Sequence, residues 1–449
     1  MDIPEVRYAW SGDVALAYQV VGEGPADLVY FPGYASNLEW NWRHPLHEGF
    51  MRRLARFSQL IVTDRRGSGC SDGIVPGDMP TLETLAGDIA TVLDDVGLTR
   101  ASILACEDNG FIACLAAATH PERVRSLILF GAAPSWHRTD DMPWQWSDDR
   151  CEAAIKAMRA WGSRTYASSL VRDSLPSLAG DEDATGYFTT LTRLWGGPGQ
   201  AMSEMRKYME LDIRSILPAI QMPTLVLQRT HDPVEFIESA RYLAEHIPYA
   251  QLVELPGHDS LPWVGESEAV IEAIETFLGI THPPPRLDRV LATVLFTDIV
   301  DSTKQAAELG DAQWKQLLAA HFELAKGQVD QHRGRIIDTT GDGLLATFDG
   351  PARAVRCAQA IVAGVKPLGL EVRAGCHTGE VEREGADVRG IAVHIGARIA
   401  AMAGPSEVLA SSTVKDLVSG SGLVFEERGE HELKGVPERW RLYRVLSGV

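Results

Sequence analysis

Six cysteines in 449 residues, none in C-x-x-C spacing, leave this chain without a disulfide framework or a zinc site. They read as reduced thiols in a core, as expected of a cytoplasmic protein. Long apolar runs are also missing: no window approaches the roughly 18 uninterrupted residues of a membrane span. The opening MDIPEVRYAW has no basic stretch followed by an apolar one, so neither export nor anchoring is expected. Positive charge is scarce, with 42 Lys+Arg against 61 Asp+Glu and a net charge of -19, which argues against nucleic acid as the main partner. Tandem repeats and low-complexity tracts are absent too.

What is present suffices for two buried cores: 45% of the residues are hydrophobic. Strand-like runs alternate with longer helix-period segments: LVYFPG (28–33), LIVTD (60–64), SILACED (102–108), SLILFG (126–131), TLVLQ (224–228) and QLVEL (251–255). Such alternation predicts β-α-β crossovers and a mostly parallel sheet covered by helices. Between about 134 and 215 the rhythm breaks; Trp136, Trp144, Trp146, Trp161 and Trp195 fall there with few strand signals, predicting a helical cap. THPPPRLDR, 281–289, cannot continue a helix and favours an extended linker. The expected organisation is a first domain over 1–279, a linker over 280–289 and an α+β domain over 290–449. In the last, a strand (290–298), a long helix (303–332), a hairpin (335–348), a helix (351–366), a strand (370–377) and a helix (391–403) follow one another.

The strand VLATVLFTDIVDST brings Asp298 to its end, and IIDTTGDGLLATF puts Asp342 at a hairpin tip. If these strands are neighbours, the two carboxylates meet at one point, an oxygen-donor arrangement for a hard divalent cation on a phosphate substrate. The alternative is two unrelated turn acids. FTDIVDST, TTGDGLLATF, RAGCHTGEV, DVRGIAVHIGARIAAMA and HELKGV occur in this order, and together they resemble the class III nucleotidyl cyclase catalytic domain over nearly all of 290–446. That resemblance implies a ferredoxin-like α+β fold and an adenylate cyclase that converts ATP to 3',5'-cyclic AMP and pyrophosphate. It makes Asp298 and Asp342 the ligands of two Mg2+ or Mn2+ ions per site. It makes Arg398 the stabiliser of phosphoryl charge, Asp387 the acceptor from the adenine amino group, and Lys434 a neighbour of the triphosphate. The family's sites form between two such domains, so one copy per chain implies a homodimer.

Two positions depart from the family pattern. Asp338 stands where adenylate cyclases usually carry a Lys that donates to adenine, and His394 where they usually carry an Asn. An ionised carboxylate cannot donate to adenine N1, although it accepts from an amino group. An acid there resembles the guanylate cyclase choice, so GTP remains the alternative to ATP. A domain without catalysis, serving dimerisation or nucleotide sensing, is the other.

The first domain carries Cys106-Glu107-Asp108-Asn109-Gly110 at a strand-to-helix junction, a small-x-nucleophile-x-small elbow with Asp108 at its centre. Asp108 as a simple helix N-cap is the competing reading. Asp232 follows the strand TLVLQ and His258 follows QLVELPG, in the chain order nucleophile, acid, base. The region from about 10 to 278 thereby resembles the α/β-hydrolase superfamily, and its Asp nucleophile resembles those of epoxide hydrolases and haloalkane dehalogenases. The resemblance implies Asp108 attack, His258 as base, Asp232 as orienter, and oxyanion donation from the backbone N–H groups of Tyr34 and Asn109. Pro32 replaces the usual His of the oxyanion loop, and no spacing selects among the cap tyrosines Tyr166, Tyr187 and Tyr208. A second hydrolase activity, with the cyclase-like domain reduced to dimerisation, and a fold kept to bind an apolar small molecule both remain open.

Overall fold

A computed structural model describes residues 3–33, 35–74, 79–279, 289–384, 387–434, 436 and 439–446. The chain divides into two compact units, Met1–Leu287 and Asp288–Val449. The expected linker falls, save for Arg289, outside the described residues. Among the described residues no helix is long and apolar enough to cross a membrane.

The first unit is built on an eight-stranded sheet: β1 (Arg7–Ser11), β2 (Val14–Val21), β3 (Ala26–Phe31), β4 (Ser58–Thr63), β5 (Ala101–Cys106), β6 (Val124–Phe130), β7 (Thr224–Arg229) and β8 (Ala250–Leu255). Their order is β1-β2-β4-β3-β5-β6-β7-β8. The pairs from β4 to β8 are parallel, and the leading β1 and β2 pair antiparallel, an addition to the alternation seen from residue 28 onward. β5 is buried at every position, and so is the helix Asn109–Thr119 behind it. The run NGFIACLAAAT is apolar or small all round, which suits a helix covered on every side.

The cap consists of helices Asp148–Ala157, Arg164–Ser174, Glu182–Trp195 and Pro198–Met209. Trp144, Trp146 and Trp161 each pack with the indole N–H on a partner, whereas the buried N–H of Trp136 has none. Trp161 Nε1 donates to Thr192 O at 2.6 Å, and its ring meets Trp195 edge to face at 4.9 Å. The cap is fastened to the sheet domain by Trp40 Nε1, which donates to Tyr187 O at 3.2 Å, and by Gln200, which donates to Gly67 O.

The second unit has β9 (Arg289–Ile299), β10 (Arg335–Thr340), β11 (Gly343–Phe348), β12 (Val372–Glu384), β13 (Asp387–Arg389), β14 (Val408–Ser411), β15 (Val424–Glu432) and β16 (Arg439–Leu446). The order is β10-β11-β9-β12-β14-β16-β15, with β13 on β12. The expected long helix is two, Ser302–Leu309 and Asp311–Gln331, broken at Gly310. Neighbouring residues of a strand point to opposite faces, and β9 uses both. Leu295 joins a core with Val355 and Ile361 of the helix Pro351–Gly364, whereas Val294 joins Ala392 of the helix Ile391–Met402. The second helix lies close because small residues face each other: a Cβ on Gly375 would sit 2.3 Å from Ala400 N, and one on Gly396 2.5 Å from Val294 Cγ2. This close approach fixes where His394 and Arg398 emerge.

Candidate functional site

Thr340 pairs with Gly343, so Gly341 and Asp342 form a two-residue hairpin loop. Gly341 has φ +65°, the left-handed conformation such loops require, which is why glycine precedes the acid. β11 is also the antiparallel neighbour of β9, with Leu344 opposite Thr297. One step further along that ladder, Asp298 stands beside the start of β11, so Asp298 and Asp342 share one end of the sheet. A register shift between Ile336 and Asp338 re-aims β10 at this point, a common use of a bulge beside a site. Asp338 and Asp298 line one cavity of about 270 Å3 with Arg373, Phe296 and Ala397.

Asp298 is occupied by a cation of the protein's own: Arg373, from β12, donates to its Oδ2 through Nε at 3.0 Å and Nη2 at 2.5 Å. Register explains the pair, since Arg373 lies directly opposite Asp298. Both side chains are about one-third exposed, 34% and 33%, so an entering ion could displace the guanidinium without uncovering a buried charge. Two carboxylates at an open sheet end are hard oxygen donors, fitting Mg2+ or Mn2+ when substrate oxygens complete the shell. Arg373 was not anticipated from the sequence.

His394 and Arg398 are exposed, one turn apart on the helix Ile391–Met402, and neither lines the Asp298 cavity. Lys434 is exposed in a turn after β15. Asp387 opens β13 opposite Glu384, and its side chain lies outside what is described.

In the first unit the elbow is one residue earlier than the sequence suggests. β5 ends at Cys106 and the helix begins at Asn109; between them Glu107 takes φ +53°, while Asp108 is helical at φ −60°. The strained apex of a nucleophile elbow is therefore Glu107. Asp108 is not a free nucleophile: its Oδ2 accepts from Arg65 Nη1 at 2.8 Å. The oxyanion position after the apex falls to the Asp108 N–H, and Asn109 instead uses its side chain to donate to Pro32 O at 2.6 Å. Tyr34 lies outside the described residues.

Asp232 is buried just after β7, and His258 stands apart from it. Asp232 accepts from Val234 N, Glu235 N and Gln228, and from Ser260 Oγ at 2.7 Å. His258 is exposed and meets only the ring of His231, 5.0 Å away, so among the described residues it touches neither Asp108 nor Asp232. Ser260, 1% exposed, fills the place of the base, and an alcohol cannot take up a proton as imidazole does. Among the described residues this arrangement has neither an unpaired Asp108 nor an imidazole in contact with Asp232, both of which ester formation and hydrolysis need.

Arg65 organises a second buried cluster. It pairs with Glu204 at 3.0 Å and with Tyr208 OH, while its guanidinium lies over the Tyr208 ring, 5.4 Å from the centroid. Of the three cap tyrosines, Tyr208 is thus a packing and charge partner, Tyr166 points its hydroxyl to Met158, and Tyr187 stacks on Trp40.

Each unit also buries a neutral imidazole. Burial pushes the pKa of His47 and of His377 from 6.5 down to about 3. His47 stacks on Trp263, with centroids 4.6 Å apart, and His377 Nδ1 lies 2.9 Å from Ser411 Oγ. A folded-state pKa below the unfolded one gives stability that is present above the unfolded pKa and lost as pH falls toward the folded one. Below pH 6.5 each of these imidazoles is therefore expected to cost its unit about 1.4 kcal/mol per pH unit. Urea titrations at pH 7.5 and 5.5 check this for the second unit: His377→Gln should flatten the slope, and an equally steep slope in that variant would remove His377 as its cause.

Comparison with known proteins finds a match for each of the two units. The alpha/beta hydrolase fold family matches residues 28–263, and the adenylate and guanylate cyclase catalytic domain matches residues 285–447. A pimeloyl-[acyl-carrier protein] methyl ester esterase of Nitrosospira multiformis is 25% identical over 275 residues, covering 59% of this chain and 99% of the esterase. A Rhizobium meliloti protein that bears the name of an adenylate cyclase is 31% identical over 157 residues, 33% of this chain, and the match spans only 27% of that relative. An esterase structure from Exiguobacterium antarcticum superposes with TM-score 0.53 at 22% identity, covering 62% of this chain and all of the esterase, which bears on fold alone. The chain belongs to the alpha/beta hydrolase fold family through its first unit, and its second unit is a class III adenylate/guanylate cyclase catalytic domain.

Proposed function

We propose that the second unit forms a homodimer and converts ATP to 3',5'-cyclic AMP and pyrophosphate, with Asp298 and Asp342 as metal ligands. The observation that carries this reading is the ladder between β9 and β11, which brings the two acids to one sheet end. Divalent ions held there would supply positive charge to the triphosphate and to the attacking oxygen. The new bond joins the ribose 3'-oxygen to the α-phosphorus; the bond to the bridging oxygen of pyrophosphate breaks, and the hydroxyl proton leaves to solvent.

The remaining roles fall to the chain's own side chains. Arg398, a planar and permanently charged fork, stabilises the oxygens of the α-phosphoryl group as charge builds on them. His394, one turn away, orients the ribose or the phosphate. Lys434 lies near the triphosphate. Asp387 accepts from the adenine amino group, which favours ATP, whereas Asp338 in the Asp298 cavity accepts equally well from guanine N1–H and amino donors and keeps GTP as the alternative. In the homodimer that the resemblance implies, the exposed His394 and Arg398 serve the site of the partner chain.

Complementation tests the dimer and the role assignment together. Asp298→Ala and Arg398→Ala homodimers each lack a required group at both sites. Coexpressed, the two chains form mixed dimers with one intact site, so the mixture is expected to regain about a quarter of wild-type activity by the symmetry of pairing. Cyclic AMP and cyclic GMP are measured separately with ATP and GTP. Mixed dimers no more active than either parent would defeat the shared-site reading, and cyclic GMP as the main product would overturn the choice of base.

A further inference from the structure

The first unit contains a cavity of about 280 Å3 between the strand ends and the cap, close to the lower limit of ligand pockets at roughly 300 Å3. Its walls are largely apolar, among them Met158, Leu170, Phe188, Leu191 and Trp263. The elbow apex Glu107 lies on this cavity and is only 9% exposed. Its Oε2 is buried without a hydrogen-bond partner, a state that calls for an explanation in a folded protein. The carboxyl is held against the loop opposite: a Cβ on Gly33 would lie 2.3 Å from that oxygen.

The charge state of the site narrows what could complete it. Burial, with the nearby Asp108 and Asp232, holds the Glu107 pKa well above the carboxylate range, so the group is a neutral acid and a donor. No Lys or Arg is among the described lining residues, and the imidazole there, His47, is neutral. An anionic ligand would find no counter-charge, and a cation would have to ionise Glu107 or take the lining Asp173 from Arg172, whose Nε donates to it at 2.7 Å. Ser260, also on the cavity, already donates to Asp232. Neither Glu107, a neutral acid, nor Ser260, an alcohol, takes a proton from water.

We propose that this cavity is a binding site for an uncharged apolar small molecule carrying one hydrogen-bond-accepting carbonyl oxygen, held by Glu107 and not turned over. The site is separate from the cyclase reading, and its test does not depend on cyclic nucleotide formation.

Titration calorimetry on the full chain with 2-nonanone, nonylamine and nonanoate provides that test. The ketone is expected to bind at least about tenfold more tightly than the amine or the carboxylate. Glu107→Gln, which keeps an N–H donor of the same shape, should bind the ketone about as wild type does. Glu107→Met, which removes the donor, should weaken it about five- to tenfold. Leu191→Trp, which fills the cavity and leaves Glu107 in place, should abolish uptake. The proposal is overturned if natively folded wild type takes up no 2-nonanone to its solubility limit, if the amine or the carboxylate binds more tightly, or if Glu107→Met binds unchanged. Hydrolysis of p-nitrophenyl butyrate that is lost in Glu107→Met would overturn it as well.

Discussion

Asp342→Ala is expected to lower cyclic nucleotide formation on the order of a thousandfold while leaving the fold unchanged. The size follows from the role: a ligand that places a divalent ion on a developing phosphoryl charge is worth several kcal/mol of barrier, and about 4 kcal/mol is three decades. The structural innocence follows from position. Asp342 sits in a two-residue loop closed by Thr340 and Gly343, where the required left-handed backbone is supplied by Gly341 and not by the acid. Asp298→Ala should match it in activity. The pair that it breaks with Arg373 is about one-third exposed, and exposed pairs contribute at most about 1 kcal/mol. Circular dichroism and thermal unfolding alongside the rate assay separate loss of chemistry from loss of fold. An alanine variant at either position within threefold of wild type would remove that acid from the metal site.

The contrast between the two units shows which parts of a site a sequence can disclose. Asp298 and Asp342 are legible because their meeting depends on local events, a short hairpin and the pairing of its second strand with β9. The elbow is less so: a small-x-x-x-small frame fits the run Cys106 to Gly110, and only the backbone turn at Glu107 reveals that the apex comes one residue sooner. His258 attracts attention as an imidazole at a strand end, yet it is Ser260, two residues on, that turns inward to Asp232. A lone serine carries no signal of that kind. Arg373 and Arg65 are illegible for a different reason. Nothing in their neighbourhoods marks them, and their partners are 75 and 43 residues away along the chain, joined only by sheet register and by the packing of the cap.

Arg65 is the source of the second large effect: Arg65→Met is expected to destabilise the first unit by about 3–5 kcal/mol, the cost of leaving buried charges without their partner. That is a large fraction of the roughly 5–15 kcal/mol that holds a domain folded. The guanidinium serves Asp108 on the elbow and Glu204 on the cap, and all three side chains are under one-tenth exposed. Asp108 Oδ1 and Glu204 Oε2 already lack hydrogen-bond partners, and the one donor left to them, Lys207 Nζ, is itself unpartnered and has its pKa lowered to about 8 by burial, so it replaces Arg65 only in part. Burial raises the Glu204 pKa to about 7 even with Arg65 beside it, and losing that charge must raise it further. A raised folded-state pKa gives stability that is present below the unfolded value of 4.5 and lost as pH rises, so the penalty should be larger at pH 8 than at pH 5. Urea unfolding followed by the fluorescence of tryptophans near the cluster, Trp136, Trp161 and Trp195, reads the loss directly. Arg65→Met combined with Glu204→Met should recover part of it, because the second change removes a stranded carboxyl and adds apolar volume. If the single variant stayed within 1 kcal/mol of wild type at pH 8, the cap would owe its attachment to aromatic packing and not to this charge cluster.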